Sequence, residues 1–198
     1  MSDSTTPEDA QTGFPGVGDV LFPRGRVARP ERSPVTEQAW YDYIAGYKEA
    51  ADVLVGHVES TGRRADKLGY PIVFLYRQHL ELAVKGVIRT CRAILGRSPD
   101  FPRHHRLNDL WQVCVELVHE LQPGAASEEV EHTTRLLSEF CAVDPNADGF
   151  RYPEDRTGNA SSTTQIDVSP SDIRTVVEKI SLLLDCIDTS LSVERDAF

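Results

Sequence analysis

The chain has 198 residues, a formal net charge of −10 and 40% hydrophobic residues. This length suits one sizeable hydrophobic core with extensions better than two full domains. An acidic chain is a poor general binder of nucleic acid or anionic membranes, because both kinds of binding depend on Lys and Arg that neutralise phosphate. This composition excludes a general coating protein but not a local basic site.

The sequence also lacks the segments that are typical of a membrane or secreted protein. No stretch approaches the roughly 18–20 consecutive apolar residues that span a bilayer. The first residues, MSDSTTPEDAQTG, lack the basic flank and apolar run of a signal peptide. The four cysteines contain no CxxC pair, which favours four small buried side chains in a reducing compartment. We therefore expect a cytoplasmic protein with no membrane partner.

Residues 1–33 are predicted to form an extended or disordered N-terminal arm, and residues 34–198 the folded domain. The arm shows no sustained hydrophobic periodicity, and Pro and Gly recur through residues 14–34, FPGVGDVLFPRGRVARPERSP. The second half of the arm is also locally basic, with Arg24, Arg26, Arg29 and Arg32. It is interpreted either as a solvated tail or as an arm that docks on a partner subunit or contacts RNA.

Hydrophobic residues that recur at three- and four-residue steps predict five helices in the folded domain. Their predicted ranges are about 36–61, 70–95, 107–121 and 127–143, with the last helix beginning at Pro170. Ser169 before that helix is a favourable N-cap residue. The long polar segment between the last two helices is compatible with a short β-hairpin near residues 150–168. The predicted fold class is all-α, an up-and-down helical bundle of about five helices.

The second predicted helix, residues 70–95, is the element around which the bundle is organised. Its apolar residues cover more than half of the helix circumference, so we expect neighbouring helices on most of its sides. Its charged residues share one narrow stripe, on which Arg77, Glu81 and Lys85 follow at four-residue steps and are therefore adjacent. The stripe is interpreted either as a ladder of ion pairs facing water or as part of a polar site.

Two loops carry further candidate residues. The loop GRSPDFPRHHR, residues 96–106, is the densest positive cluster in the chain. In the later segment FRYP, Arg151 lies beside Tyr152 and close to several acidic residues. It either ties down its own loop through ion pairs or completes a phosphate-binding pocket with the charged stripe. The candidate ligand-binding residues are Arg77, Glu81, Lys85, Arg151 and Tyr152.

Signatures of common cofactor sites are absent from the sequence. It contains no GxGxxG, no GxxxxGK[ST], no HExxH and no GxSxG motif. The adjacent pair His104 and His105 cannot form a structural zinc site alone. We expect no metal site and no small-molecule cofactor.

Three stretches together resemble the HEPN superfamily, the small helical-bundle domains found in bacterial defence and toxin–antitoxin loci. They are FLYRQHLELAVK, HRLNDLW and DPNADGFRYPED, in this order along the chain. The resemblance covers roughly residues 36–190 and leaves out the arm. It implies a HEPN-like bundle that forms a homodimer and acts in defence or in a toxin–antitoxin system.

The resemblance also implies a site. Many members of the superfamily are metal-independent ribonucleases that carry an Arg followed, four to six residues later, by a His. Six residues separate Arg97 from His104, while His105 is the histidine that aligns with the HRLNDLW stretch. The implied catalytic residues are Arg97 with His104 or His105: an imidazole takes the ribose 2′-OH proton, and a guanidinium stabilises the phosphorane. The alternative is a catalytically inactive HEPN-like module that binds a nucleotide, or a partner protein encoded nearby.

Overall fold

The structure, a computed structural model, describes residues 21, 36–62, 65–124, 127–145, 147–154, 158–161, 163 and 169–196. The chain divides into two units, Met1–Thr36 and Glu37–Phe198, and every described helix belongs to the second. The predicted arm, residues 1–33, lies outside the described residues apart from Leu21.

The described part of the second unit is helical, which confirms the predicted fold class. The helices are α1 (Glu37–Thr61), α2 (Ala65–Ile94), α3 (Leu107–Leu121), α4 (Ser127–Val143) and α5 (Pro170–Asp196). In the region of the expected hairpin, the described residues contain one isolated antiparallel bridge, Glu154 with Ala160, and no strand. Among the described helices, none combines the length and the apolar character that crossing a bilayer requires.

The helix ends follow from local chemistry. Ser169 caps α5, since its Oγ accepts a hydrogen bond from the backbone N–H of Asp172 at 3.3 Å. Gly96 ends α2 with a φ of 65°, and the N–H of Arg97 then donates to the carbonyl of Arg92 at 2.8 Å. The start of α2 at Ala65 corrects the predicted start at residue 70. Pro71 lies inside the helix, where its missing N–H removes a hydrogen bond without ending the helix.

Helix α2 occupies the centre of the bundle. It packs against α1, α3 and α5, while α4 packs against α3. Its fully buried apolar side chains include Ile72, Tyr76, Leu80, Val84 and Ile88. The broad apolar arc predicted from the sequence is therefore enclosed by the neighbouring helices.

His79 connects α2 to both of its long neighbours. Its imidazole is buried, with one ring nitrogen 2.9 Å from the carbonyl oxygen of Ile44 in α1 and the other 2.7 Å from Oγ of Ser181 in α5. Burial lowers the pKa of His79, so the ring is neutral near pH 7. These contacts give His79 a structural role between three helices.

The cysteines differ in exposure. Cys91 and Cys114 are buried, Cys141 is partly buried and Cys186 is exposed, and all four are free thiols. The expectation of four buried cysteines is therefore confirmed for Cys91 and Cys114, holds only in part for Cys141 and is wrong for Cys186. Burial raises the pKa of Cys91 to about 12 and raises that of Cys114 as well.

Candidate functional site

The charged stripe of α2 lies inside the protein. The side chains of Arg77, Glu81 and Lys85 are only 2%, 1% and 7% exposed. Nη1 of Arg77 is 3.3 Å from Oε2 of Glu81, and Nζ of Lys85 is 2.7 Å from Oε1 of the same carboxylate. One carboxylate thus pairs with two cations one helical turn above and below it. The interpretation of the stripe as a solvent-facing ladder is excluded.

His105 from the loop before α3 completes this cluster. Its Nδ1 is 2.9 Å from Oε1 of Glu81, while 65% of its side chain is exposed. Its backbone carbonyl accepts a hydrogen bond from Nη2 of Arg77 at 2.8 Å. Because a carboxylate can only accept, Nδ1 carries the proton, and Nε2 of the neutral ring is then a proton acceptor. The buried charges therefore hold both the backbone and the ring of a histidine that meets solvent.

Asp144, just after α4, joins the cluster from the opposite end. Its carboxylate is buried, and Oδ2 lies 3.6 Å from Nε of Arg77. Oδ1 accepts hydrogen bonds from the N–H groups of Asp148 and Gly149, both at 3.0 Å. Nε of Arg77 has no hydrogen-bond partner among the described residues, so the carboxylate of Asp144 compensates its charge without a close bond. Two buried cations face two buried anions, which removes most of the cost of burying any one of them.

The pKa of Glu81 reflects this environment. Burial by itself would raise the pKa of the carboxyl, but the hydrogen bonds and positive charge of Lys85 and the contact with His105 outweigh burial. The net result is a pKa below the usual range for glutamate. Glu81 is therefore ionised at neutral pH and acts as a permanent acceptor for His105.

A row of aromatic rings and cations continues the cluster along α2. Nζ of Lys85 lies 5.1 Å from the ring centroid of Phe101, and the guanidinium of Arg103 lies 5.4 Å from the same ring. Trp40 packs against Phe101 at 5.5 Å, with Arg89 4.9 Å from the tryptophan ring. These cation–π contacts anchor the loop that carries His105 to α1 and α2.

The three predicted catalytic residues lie in separate environments and contact different partners. His105 contacts the buried cluster, whereas Nδ1 of His104 accepts a hydrogen bond from the backbone N–H of Arg106 at 3.3 Å. Nη1 of Arg97 donates to Oε2 of Glu120 in α3 at 2.9 Å, in an ion pair at the surface. No contact within the described part of the chain joins Arg97 to either histidine. The structure thus brings together His105, Glu81, Arg77 and Lys85.

The predicted ligand residues of the FRYP segment lie apart from the α2 cluster. Nε of Arg151 donates to the carbonyl of Ala147 at 2.8 Å, and its guanidinium lies near the rings of Phe74 and Tyr152. No described contact joins Arg151 or Tyr152 to Arg77, Glu81 or Lys85. The loop reaches the cluster through Asp144 instead. A sequence signal for Asp144 exists, because it opens the turn-forming run DPNADG.

The described residues contain no group of three or more His, Cys, Asp or Glu side chains that could hold a metal ion. No family model, curated protein or solved structure matches the chain. Family membership thus does not follow from these comparisons. The contacts around His105 and the three sequence stretches that meet there are what point to a function.

Proposed function

We propose that this chain is a HEPN-like protein of a bacterial defence or toxin–antitoxin system that cleaves RNA as a dimeric, metal-independent endoribonuclease. In this proposal His105 is the catalytic base, and Glu81 orients its imidazole. Arg77 and Lys85 act behind them, as buried residues that position Glu81 and the backbone of His105. The substrate meets the site at the exposed edge of the His105 ring.

The contact between His105 and Glu81 carries the proposal. A carboxylate at 2.9 Å from Nδ1 fixes the ring orientation and tautomer, and the 65% exposure of the side chain leaves it accessible to a substrate. A histidine with a purely structural role gains little from this combination of a buried orienting carboxylate and an accessible ring. The three HEPN-like stretches also converge here, through Glu81, His105 and Asp144, and this convergence supports the assignment.

The proposed reaction requires no metal. Nε2 of His105 accepts the proton of a ribose 2′-OH while the 2′ oxygen forms a bond to phosphorus. The bond from phosphorus to the 5′ oxygen breaks, which leaves a 2′,3′-cyclic phosphate, and the departing oxygen takes a proton from solvent. Arg103, which is exposed and two residues from His105, supplies positive charge for the phosphorane, and Arg106 adds to it when its surface ion pair with Asp109 opens.

Arg97 takes part only if its surface pair with Glu120 opens. Exposed ion pairs contribute about 0–1 kcal/mol, so a phosphate can compete with Glu120 for this guanidinium. The pair with Glu120 is therefore no energetic barrier to the catalytic role that the HEPN resemblance implies for Arg97, although the free protein holds the side chain elsewhere.

The test is RNA cleavage in EDTA by the wild type and by two matched variants. A labelled single-stranded RNA is incubated with wild type, His105→Gln, His104→Gln or no protein, and products are resolved on a gel. Loss of a general base lowers rates about 10²–10⁴-fold, so we expect such a loss for His105→Gln and nearly full activity for His104→Gln. Identical profiles for wild type and the no-protein control contradict the nuclease. Full activity of His105→Gln contradicts the role of this residue.

A second candidate function is a catalytically inactive HEPN-like module that binds a nucleotide or a partner protein encoded nearby. The pairing of Arg97 with Glu120 and the consumption of Arg77 and Lys85 by buried carboxylates favour it. RNA that binds without being cleaved would support this candidate. So would a stable complex with the product of a neighbouring antitoxin-like, nuclease or helicase gene. Light scattering of the purified protein tests the proposed homodimer.

A further inference from the structure

The turn that follows α4 is fixed by several hydrogen bonds. Oδ1 of Asp144 accepts from the N–H groups of Asp148 and Gly149. The carbonyl of Asp148 accepts from the N–H groups of both Arg151 and Tyr152 at 3.0 Å. A turn held at both ends in this way presents its side chains in a defined geometry before any ligand arrives.

The turn also holds a strained residue in place. Ala147 has a φ of 64°, in the left-handed region that residues with a Cβ rarely adopt. Its carbonyl accepts a hydrogen bond from Nε of Arg151 at 2.8 Å. Backbone strain of this kind persists where the surrounding structure enforces it, and it concentrates at binding sites. Here it orients the carbonyl that positions the guanidinium of Arg151.

The guanidinium of Arg151 is placed like a binding group. Its Cζ lies 5.9 Å from the ring centroid of Phe74 and 5.6 Å from that of Tyr152. Nη1 and Nη2 form no hydrogen bond or ion pair with another described residue, and the side chain is exposed. With Nε already bonded to Ala147, these two nitrogens are the donors that a phosphate or carboxylate can engage in a paired geometry.

A cavity of about 240 Å³ adjoins this guanidinium. Its lining is mostly aromatic and apolar, with one cation, and consists of Tyr70, Gly149, Phe150, Arg151, Tyr152 and Pro153. Pockets that enclose drug-sized ligands measure roughly 300–1,000 Å³, so this smaller cavity, which opens to solvent, encloses only part of such a ligand. The combination of flat ring surfaces and one guanidinium matches a ligand that joins a planar ring system to one anionic group.

We propose that this cavity binds a nucleoside monophosphate, with the phosphate on Arg151 and the base against the tyrosine rings, either free or as the 5′ end of an RNA chain. The site goes beyond the proposed nuclease, because no described contact joins its lining to His105, and it gives the nucleotide of the second candidate function a specific location. Binding there does not depend on whether His105 cleaves RNA, and the two proposals can fail separately.

Titration calorimetry on the full chain tests this site with AMP, GMP, CMP and UMP as probes. We expect saturable binding of at least one nucleotide, and binding about tenfold or more weaker for inorganic phosphate and for the matching nucleoside. A short oligoribonucleotide with and without a 5′-phosphate, titrated into the His105→Gln protein so that the RNA stays intact, forms the second arm. If the 5′-phosphorylated oligoribonucleotide binds and the mononucleotides do not, the ligand is an RNA end. If the mononucleotides bind as well, a free nucleotide is sufficient.

Three variants decide whether the binding occurs at this turn. Arg151→Ala should weaken binding about tenfold or more, because it removes charged hydrogen bonds to the phosphate. Arg135→Ala removes an exposed arginine of α4 that pairs with Glu139, and it should change affinity by less than about twofold. Tyr152→Ala keeps the guanidinium of Arg151 and should also weaken binding. This second variant tests the site even if Arg151→Ala destabilises the protein.

Three results would overturn the proposal. The first is the absence of saturable binding by both the nucleotides and the phosphorylated oligoribonucleotide at millimolar concentration. The second is unchanged affinity in a correctly folded Arg151→Ala protein. The third is equal affinity for inorganic phosphate and for the nucleotide, because the aromatic rings would then contribute nothing to binding.

Discussion

Replacing Glu81 with glutamine should destabilise this protein more than most single substitutions do. The change keeps the size of the side chain but removes the carboxylate charge that Arg77, Lys85 and His105 share. Arg77 retains Asp144 at 3.6 Å, whereas Lys85 retains only the ring of Phe101 as a described electrostatic partner. A nearly buried ammonium group without a counter-charge is the expected source of the loss.

The magnitude follows from the burial of the cluster. Removing one partner of a buried ion pair costs about 3–5 kcal/mol, against about 0–1 kcal/mol for an exposed pair. The side chains of Glu81 and Lys85 are 1% and 7% exposed, so the buried figure applies. For a domain of this size, about 2–4 °C of melting temperature is lost per kcal/mol. Glu120→Gln, which breaks the exposed pair with Arg97, is the matched control.

Urea denaturation of the wild type, Glu81→Gln and Glu120→Gln measures these free energies of unfolding. Adding Lys85→Met to Glu81→Gln removes the uncompensated cation, so the double variant should recover part of the stability lost in the single one. A loss below about 1 kcal/mol for Glu81→Gln, equal to that of the control, would refute the reasoning. It would mean that water reaches the cluster and screens its charges.

The loss of stability caused by Glu81→Gln should depend on pH. The pKa of Glu81 in the folded protein lies below its ordinary value of 4.5. The ionised carboxyl therefore contributes stability that is fully present above pH 4.5 and is lost as the pH falls through the lower folded-state pKa. The stability difference between wild type and Glu81→Gln should shrink as the pH is lowered from about 5 to 2. A difference that grows on acidification would contradict the direction of the shift.

Two further predictions test the packing of the bundle. Gly149→Ala should cost about 1–3 kcal/mol, because the added Cβ would lie 2.7 Å from Cγ2 of Thr163, whereas Gly56→Ala, with no atom within 4 Å, should be neutral or stabilising. Equal melting temperatures of the two variants would contradict this contrast. Cys186 should react with a thiol reagent in the folded protein and Cys114 only after unfolding, since Cys114 is buried and its thiol pKa is raised. Mass spectrometry of labelled peptides measures both, and equal labelling rates would contradict the assigned burial.

Local chemistry made much of the fold predictable from the sequence. The start of α5 depends on Ser169, a side chain next to the helix end that caps it. Hydrophobic periodicity also identified the buried sides of the helices, because it depends only on residues a few positions apart in the chain. The misplaced start of α2 shows the limit of this logic, since the helix begins at Ala65 and continues through Pro71.

The sequence by itself determined that Arg77, Glu81 and Lys85 are neighbours, because four-residue spacing places side chains together on any α-helix. Only the tertiary structure decided that this row is buried and that His105, 24 residues from Glu81, completes it. It likewise decided that Arg97 pairs with Glu120, 23 residues away, and not with a histidine. Contacts at such separations form only when loops close and helices pack, and their partners are selected by the whole bundle rather than by neighbours in the chain.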